Sequence, residues 1–117
     1  MHKFREFQFW NRSKQLCIEI YSSTKDFPKT EQFGLTNQIR RSAVSIPSNI
    51  AEGASRTSKK DFSRFLEIAI GSAHELETQL EIAHGVGYLP KEKFEFLHAE
   101  VKAIILMTSR YKALVKK

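Results

Sequence analysis

A proline inside a run of helical periodicity is the feature that most restricts how this chain can fold. The apolar residues around it recur every three or four positions: Leu35, Ile39, Ala43, Ile46 and Ile50. Pro47 interrupts this run at a cost of roughly 3 kcal/mol, because it lacks an N–H and clashes with the carbonyl one turn earlier. We therefore predict a helix that is kinked at Pro47, packed against other elements, and missing the intrahelical donor to the Ala43 carbonyl.

Other local signals divide the chain into four helical segments. Pro28 separates the first segment from the second, and Gly53 is suited to end the second in the left-handed conformation. Ser58, with an acidic residue three positions later, resembles a capping box at the start of the third. Pro90 lies where the fourth begins. Because strand patterns are weak, we predict one domain over residues 1–117, an all-α, antiparallel up-and-down four-helix bundle.

The composition excludes several classes of protein. A single cysteine, Cys17, rules out an internal disulfide and a cysteine-based zinc site, and it fits a reducing cytoplasm. No apolar run approaches the roughly 20 residues of a membrane span. The charged, aromatic N-terminus lacks the long apolar stretch of a signal peptide. We therefore predict a cytoplasmic protein that does not associate with a membrane.

The net charge is +6, and the positive charge is unevenly distributed. Six basic residues surround the second helix and the start of the third: Arg40, Arg41, Arg56, Lys59, Lys60 and Arg64. Such groups beside a helix N-terminus can bind a phosphate backbone without reading bases, which predicts RNA or DNA binding. Two alternatives remain. The basic residues can serve solubility alone, or Arg40 or Arg41 can pair with Glu52 or with a neighbouring subunit.

A second set of apolar residues lies away from the core-facing stripes. In the fourth helix these residues recur at spacings of seven, four and seven, as Phe96, Ala103, Met107 and Leu114. In the third helix Ile68, Ile70 and Ile82 also leave the main stripe. A helix that is apolar on two faces is buried on both, which predicts self-association with Phe96, Met107, Leu114, Ile68 and Ile82 in the interface.

The sequence contains no convincing catalytic or metal-binding motif. Two Glu-x-x-His pairs, Glu81 with His84 and Glu95 with His98, match the spacing used in di-iron bundles. On a helical wheel, however, both glutamates point well away from the core. Gly71 indicates a close helix–helix contact rather than a ligand site. We therefore expect no enzyme activity, no cofactor and no metal.

Several longer motifs stand out in the sequence: Phe27-Pro28-x-x-Glu31-x-x-Gly34-Leu35, Gln38-Ile39-Arg40-Arg41, Ser45-Ile46-Pro47-Ser48-Asn49-Ile50-Ala51-Glu52-Gly53, and Phe65-Leu66-x-Ile68-Ala69-x-Gly71-Ser72. Together they resemble one known family, the bacterial four-helix-bundle proteins encoded within intervening sequences of 23S ribosomal RNA genes. The resemblance covers about residues 7–90, and the last helix matches only in pattern.

This resemblance implies an antiparallel four-helix bundle that assembles as a ring-like homopentamer without enzyme activity. The family is distantly similar to the accessory protein of diversity-generating retroelements, a basic pentamer that binds nucleic acid and a reverse transcriptase. Two hypotheses follow for this chain. It is either an oligomeric bundle that binds RNA or DNA through phosphate contacts, or a protein-interaction scaffold that binds no nucleic acid.

Overall fold

Four α-helices account for most of residues 2–115, the part of the chain that this computed structural model describes. They are α1 (Gln8–Thr24), α2 (Leu35–Ala54), α3 (Lys59–Gly85) and α4 (Lys91–Val115). Short 3₁₀ helices precede α1 at Phe4–Glu6 and α2 at Lys29–Glu31. Within residues 2–115 there is no β-strand, so the predicted all-α class is confirmed.

The helices pack as an antiparallel up-and-down bundle, as predicted. Each helix packs against its two neighbours in the order α1, α2, α3, α4 and back to α1, whereas the diagonal pairs do not approach closely in the described range. The start of α1 meets the end of α4, where the Phe9 and Tyr111 rings lie 5.3 Å apart. None of the described helices is long and apolar enough to cross a membrane.

The core lies along the centre of the bundle and is formed by one stripe from each helix. Its largest fully buried side chains include Ile20, Ile39, Phe62, Leu76 and Ile104. Helical periodicity in the sequence predicts an α1 stripe of Trp10, Cys17, Ile20 and Tyr21, with Phe9, Leu16 and Phe27 at its edge. In the structure Phe9, Leu16 and Ile20 are buried, and Tyr21 is 46% exposed. The helix is therefore rotated towards Phe9, whose ring packs against Phe7 and Tyr111.

Pro47 lies inside α2, and the helix continues on both sides of it, as predicted. The freed Ala43 carbonyl finds a donor outside the helix, because the Cys17 thiol of α1 donates to it at an Sγ···O distance of 3.0 Å. Burial raises the pKa of the Cys17 thiol to about 11. The thiol therefore stays protonated, and able to donate, through the neutral range.

Two predictions about glycines are wrong. Gly53 does not end α2 in the left-handed conformation; it lies within the helix and is buried. A Cβ placed on Gly53 would lie 2.6 Å from the Cβ of Phe65, so the absence of a side chain allows α2 and α3 to approach closely. Gly71 makes no such contact, because a Cβ there would meet nothing within 4 Å. Among the described residues only Gly87, in the turn after α3, has a positive φ, of 86°.

The predicted helix starts are confirmed at α3 and α4. The Ser58 hydroxyl accepts a hydrogen bond from the backbone N–H of Asp61 at 3.0 Å, which satisfies one free donor at the start of α3. Pro90 immediately precedes α4, and its carbonyl accepts from the N–H of Phe94 at 2.9 Å. Because α2 ends at Ala54 and α3 begins at Lys59, the turn between them is short, and the side chains on both sides of it lie close together.

Candidate nucleic-acid interface

Four of the six predicted basic residues lie together at the turn between α2 and α3. We call Arg56, Lys59, Lys60 and Arg64 the basic cluster. The Arg56 and Arg64 guanidiniums lie 5.0 and 4.6 Å from the centre of the Phe65 ring. Lys59 and Lys60 form the first turn of α3, where backbone N–H groups and the helix dipole also favour an anion.

The basic cluster borders an open cleft and is only partly neutralised by acidic groups. The cleft has a volume of about 470 Å³ and is lined by Lys59, Lys60, Ser63, Arg64 and Glu67. Arg56 pairs with Glu52 at 3.5 Å and Arg64 with Asp61 at 3.9 Å. Within the described residues, Lys59 and Lys60 form no ion pair. Exposed ion pairs contribute less than about 1 kcal/mol each, so both arginines remain available to a stronger anion.

The structure places Arg40 and Arg41 elsewhere. They lie near the start of α2, whereas Arg56 follows its end, roughly 20 Å away along the helix axis. Arg40 is held in place within the bundle: its Nε donates to Thr24 Oγ1 at 2.9 Å, and its guanidinium lies 4.6 Å from the centre of the Tyr21 ring. Among the described residues Glu52 pairs with Arg56 and with neither of these arginines, whereas pairing of Arg40 or Arg41 with a neighbouring subunit stays a prediction.

Arg41 is exposed and lines a polar groove on the outer surface between α2 and α3. This α2–α3 groove has a volume of about 490 Å³. Its lining residues are Phe33, Asn37, Gln38, Arg41, Ser42, Ser45, Ser72, Glu75 and Gln79. The hydroxyls of Ser45 and Ser72 are joined across the two helices at 2.8 Å. Sequence periodicity did not predict this groove, because the groove depends on which flanks of α2 and α3 face one another in the folded bundle.

The predicted interface residues lie on two outer faces. On α4, Phe96 is 55% and Leu114 is 64% exposed, and Leu106, which the spacing argument missed, is 50% exposed. Met107 is only half-buried on this face, with its Sδ 3.4 Å from Nη1 of Arg12. On α3, Ile68 and Ile82 are exposed. The exposed side chains on both helices leave room for a partner. We call the three exposed α4 residues, Phe96, Leu106 and Leu114, the apolar row.

Neither Glu-x-x-His pair forms an inward metal site. His84 Nδ1 lies 2.9 Å from the Leu89 carbonyl, and Glu95 is exposed. A different group meets between α3 and α4, where His98 Nε2 lies 3.1 Å from Glu81 and 3.6 Å from Glu77. These three side chains could together offer ligands to a divalent ion. One hydrogen bond between the His98 imidazole and the Glu81 carboxylate, with the Glu77 carboxylate close by, explains the same arrangement.

The fold and the basic cluster together define a class: a small, all-α up-and-down bundle with a basic surface at one end. The chain belongs to the 23S rRNA-intervening sequence protein family, whose model matches residues 5–110. The match includes most of α4, beyond the range in which the sequence motifs were recognised. No curated protein matches the chain significantly.

A solved structure supports the same assignment. The chain resembles the crystal structure of a protein of unknown function from the S23 ribosomal protein family of Bacteroides thetaiotaomicron, with a TM-score of 0.82 and 26% sequence identity. The similarity covers 93% of this chain and 96% of the other. The bundle is therefore reproduced over nearly the whole length of both proteins.

Proposed function

We propose that this protein is a non-catalytic, self-associating helical bundle that binds RNA or DNA through phosphate contacts. The observation that carries the proposal is the basic cluster, in which four cations surround a single helix N-terminus. Arg56 and Arg64 rest on the Phe65 ring, which orders two guanidiniums without neutralising them. Lys59 and Lys60 project from the same turn.

This arrangement favours a phosphate backbone over a small anion. The cleft beside the cluster is open rather than enclosed, and three cations of the cluster, Lys59, Lys60 and Arg64, line it. Contacts of this kind neutralise phosphates and release counterions, so they give strong salt dependence and little sequence preference. Arg40, which is held by Thr24 and Tyr21, contributes less to this surface than the sequence suggested.

Self-association would multiply the effect of each cluster. The apolar row on α4, with Phe96, Leu106 and Leu114 exposed, supports contact with a second copy. We propose a homopentamer, the assembly that the family resemblance implies. Several weak basic clusters around a ring can raise the overall affinity by roughly 10²–10⁴ over that of one cluster where the geometry permits simultaneous contact.

The test is the binding of a structured RNA across a salt series, followed by fluorescence anisotropy. Parent protein should bind at low salt and lose affinity steeply as salt rises. Replacing Arg56, Lys59 and Lys60 with Glu should abolish binding. A matched control reverses three exposed lysines at the opposite end of the bundle, Lys25, Lys91 and Lys93, and should retain most of it. Equal losses in the two variants would show that only net charge matters.

The second candidate is a protein-interaction scaffold that binds no nucleic acid. The apolar row on α4 favours this class equally well, because a protein partner could cover it as readily as another copy. The same experiment separates the two functions. If the parent protein fails to bind RNA or DNA at low salt, the basic cluster serves solubility and the scaffold function stands.

A further inference from the structure

We propose that the α2–α3 groove accepts one unpaired base of a single-stranded nucleic acid, with Phe33 as the stacking platform and Arg41 on the adjoining phosphate. This inference rests on the proposed function and adds to it a second surface, which distinguishes unpaired bases from a duplex. The surface lies near the start of α2, and the basic cluster lies beyond its end.

Phe33 has the exposure and the support that a stacking platform needs. Its side chain is 88% exposed, more than any other large apolar residue among those described. The turn that carries it is nevertheless held firmly. Glu31 accepts from the Tyr88 hydroxyl at 3.0 Å and from the Leu35 N–H at 3.2 Å, and its carbonyl accepts from the Gly34 N–H at 2.9 Å. The ring therefore stands in solvent on an ordered turn.

The groove beside Phe33 offers polar groups of the kind that bind base edges. Gln79 lines it and is only 8% exposed, yet its Oε1 has no hydrogen-bond partner. A buried amide atom without a partner costs about 1–3 kcal/mol, and rotation about the last side-chain bond would let this amide reach a ligand. Asn37, Gln38 and Glu75 add further donors and acceptors.

Charge in the groove suits one nucleotide better than a purely apolar partner. Arg41 and Glu75 both line the groove, and the described residues include no ion pair between them. The guanidinium of Arg41 is thus available to a phosphate. The carboxylate of Glu75 can accept from the exocyclic amine of a base, as acidic side chains do with cytosine.

A second aromatic residue extends this surface across α2. Tyr21, Arg40 and Val44 line a neighbouring cleft, and Asn37 and Arg41 line both that cleft and the groove. Aromatic rings alternating with guanidiniums are typical of proteins that bind single strands, in which bases stack while phosphates are neutralised. Arg40 and Arg41, which lie far from the basic cluster, therefore belong to a surface of their own.

The experiment compares a labelled single-stranded RNA of about 12 nucleotides with a duplex of the same sequence. Phe33→Ala should weaken single-strand binding roughly 5- to 150-fold and leave duplex binding unchanged, because duplex bases are already stacked. Phe33→Leu should lose as much affinity for the single strand as Phe33→Ala, because leucine keeps the apolar surface but has no aromatic ring on which a base can stack. Phe33→Trp should retain affinity, and the single strand should quench its added tryptophan fluorescence.

Three results would overturn the proposal. If Phe33→Ala binds the single strand as the parent does while the basic-cluster variant loses both RNAs, the proposed function stands and this inference fails. If Phe33→Ala changes the oligomeric state in light scattering, the groove is occupied by a second copy. If the parent binds neither RNA at low salt, the proposed function itself fails, and the groove has no nucleic-acid ligand.

Discussion

At the scale of single residues, Cys17 and Pro47 are coupled through one carbonyl. Pro47 removes the N–H that would bond the Ala43 carbonyl, and the Cys17 thiol supplies a donor instead. Cys17→Ala should destabilise the protein by about 1 kcal/mol through the lost hydrogen bond, while Cys17→Ser should keep a donor and lose less. In a Pro47→Ala background, where an N–H is available again, Cys17→Ala should cost less. Urea unfolding of the four variants measures this coupling, and additive effects would contradict it.

At the scale of helices, Gly53 sets how closely α2 and α3 pack. Gly53→Ala would place a Cβ 2.6 Å from the Cβ of Phe65 and 3.3 Å from the Phe62 carbonyl. Overpacking costs about 1–3 kcal/mol, which exceeds the gain of about 1 kcal/mol from replacing a helical glycine. We therefore expect a net loss of stability.

Gly71 provides the matched control for this prediction, because a Cβ there meets nothing within 4 Å. Gly71→Ala should stabilise α3 by about 1 kcal/mol. Thermal or urea unfolding of both variants gives the comparison. If Gly53→Ala proves as stable as Gly71→Ala, the close packing of α2 and α3 is not what requires a glycine at position 53.

At the scale of the whole molecule, the apolar row on α4 predicts assembly. Replacing Leu106 and Leu114 with Glu should yield smaller species that keep the helical circular dichroism of the parent, because both side chains are at least half exposed and outside the core. Ile18→Glu is the control, since Ile18 is 54% exposed on α1, away from the row. It should leave the assembly intact. Parent protein that is monomeric at micromolar concentration in light scattering would contradict self-association.

The sequence by itself determined the four helices and the continuity of α2 through Pro47 by helical periodicity, and the starts of α3 and α4 by the capping residue Ser58 and by Pro90. These features depend on neighbours within about one helical turn, which the sequence displays directly. The motifs around Pro47 likewise indicated the family, which the match over residues 5–110 confirms. Of the candidate site, the sequence located the basic cluster, since Arg56, Lys59, Lys60 and Arg64 lie within nine positions of one another.

Tertiary structure alone decided the features that depend on which helix flanks meet. It placed Arg40, which is held by Thr24 and Tyr21, and Arg41, which lines the α2–α3 groove, far from the basic cluster with which the sequence grouped them. It also showed that Phe65 packs too close to Gly53 to leave space for a side chain there, and that the Cys17 thiol donates a hydrogen bond to the Ala43 carbonyl. Periodicity gives the direction in which a side chain points on its own helix, but the partner it meets depends on how the four helices are rotated when they pack.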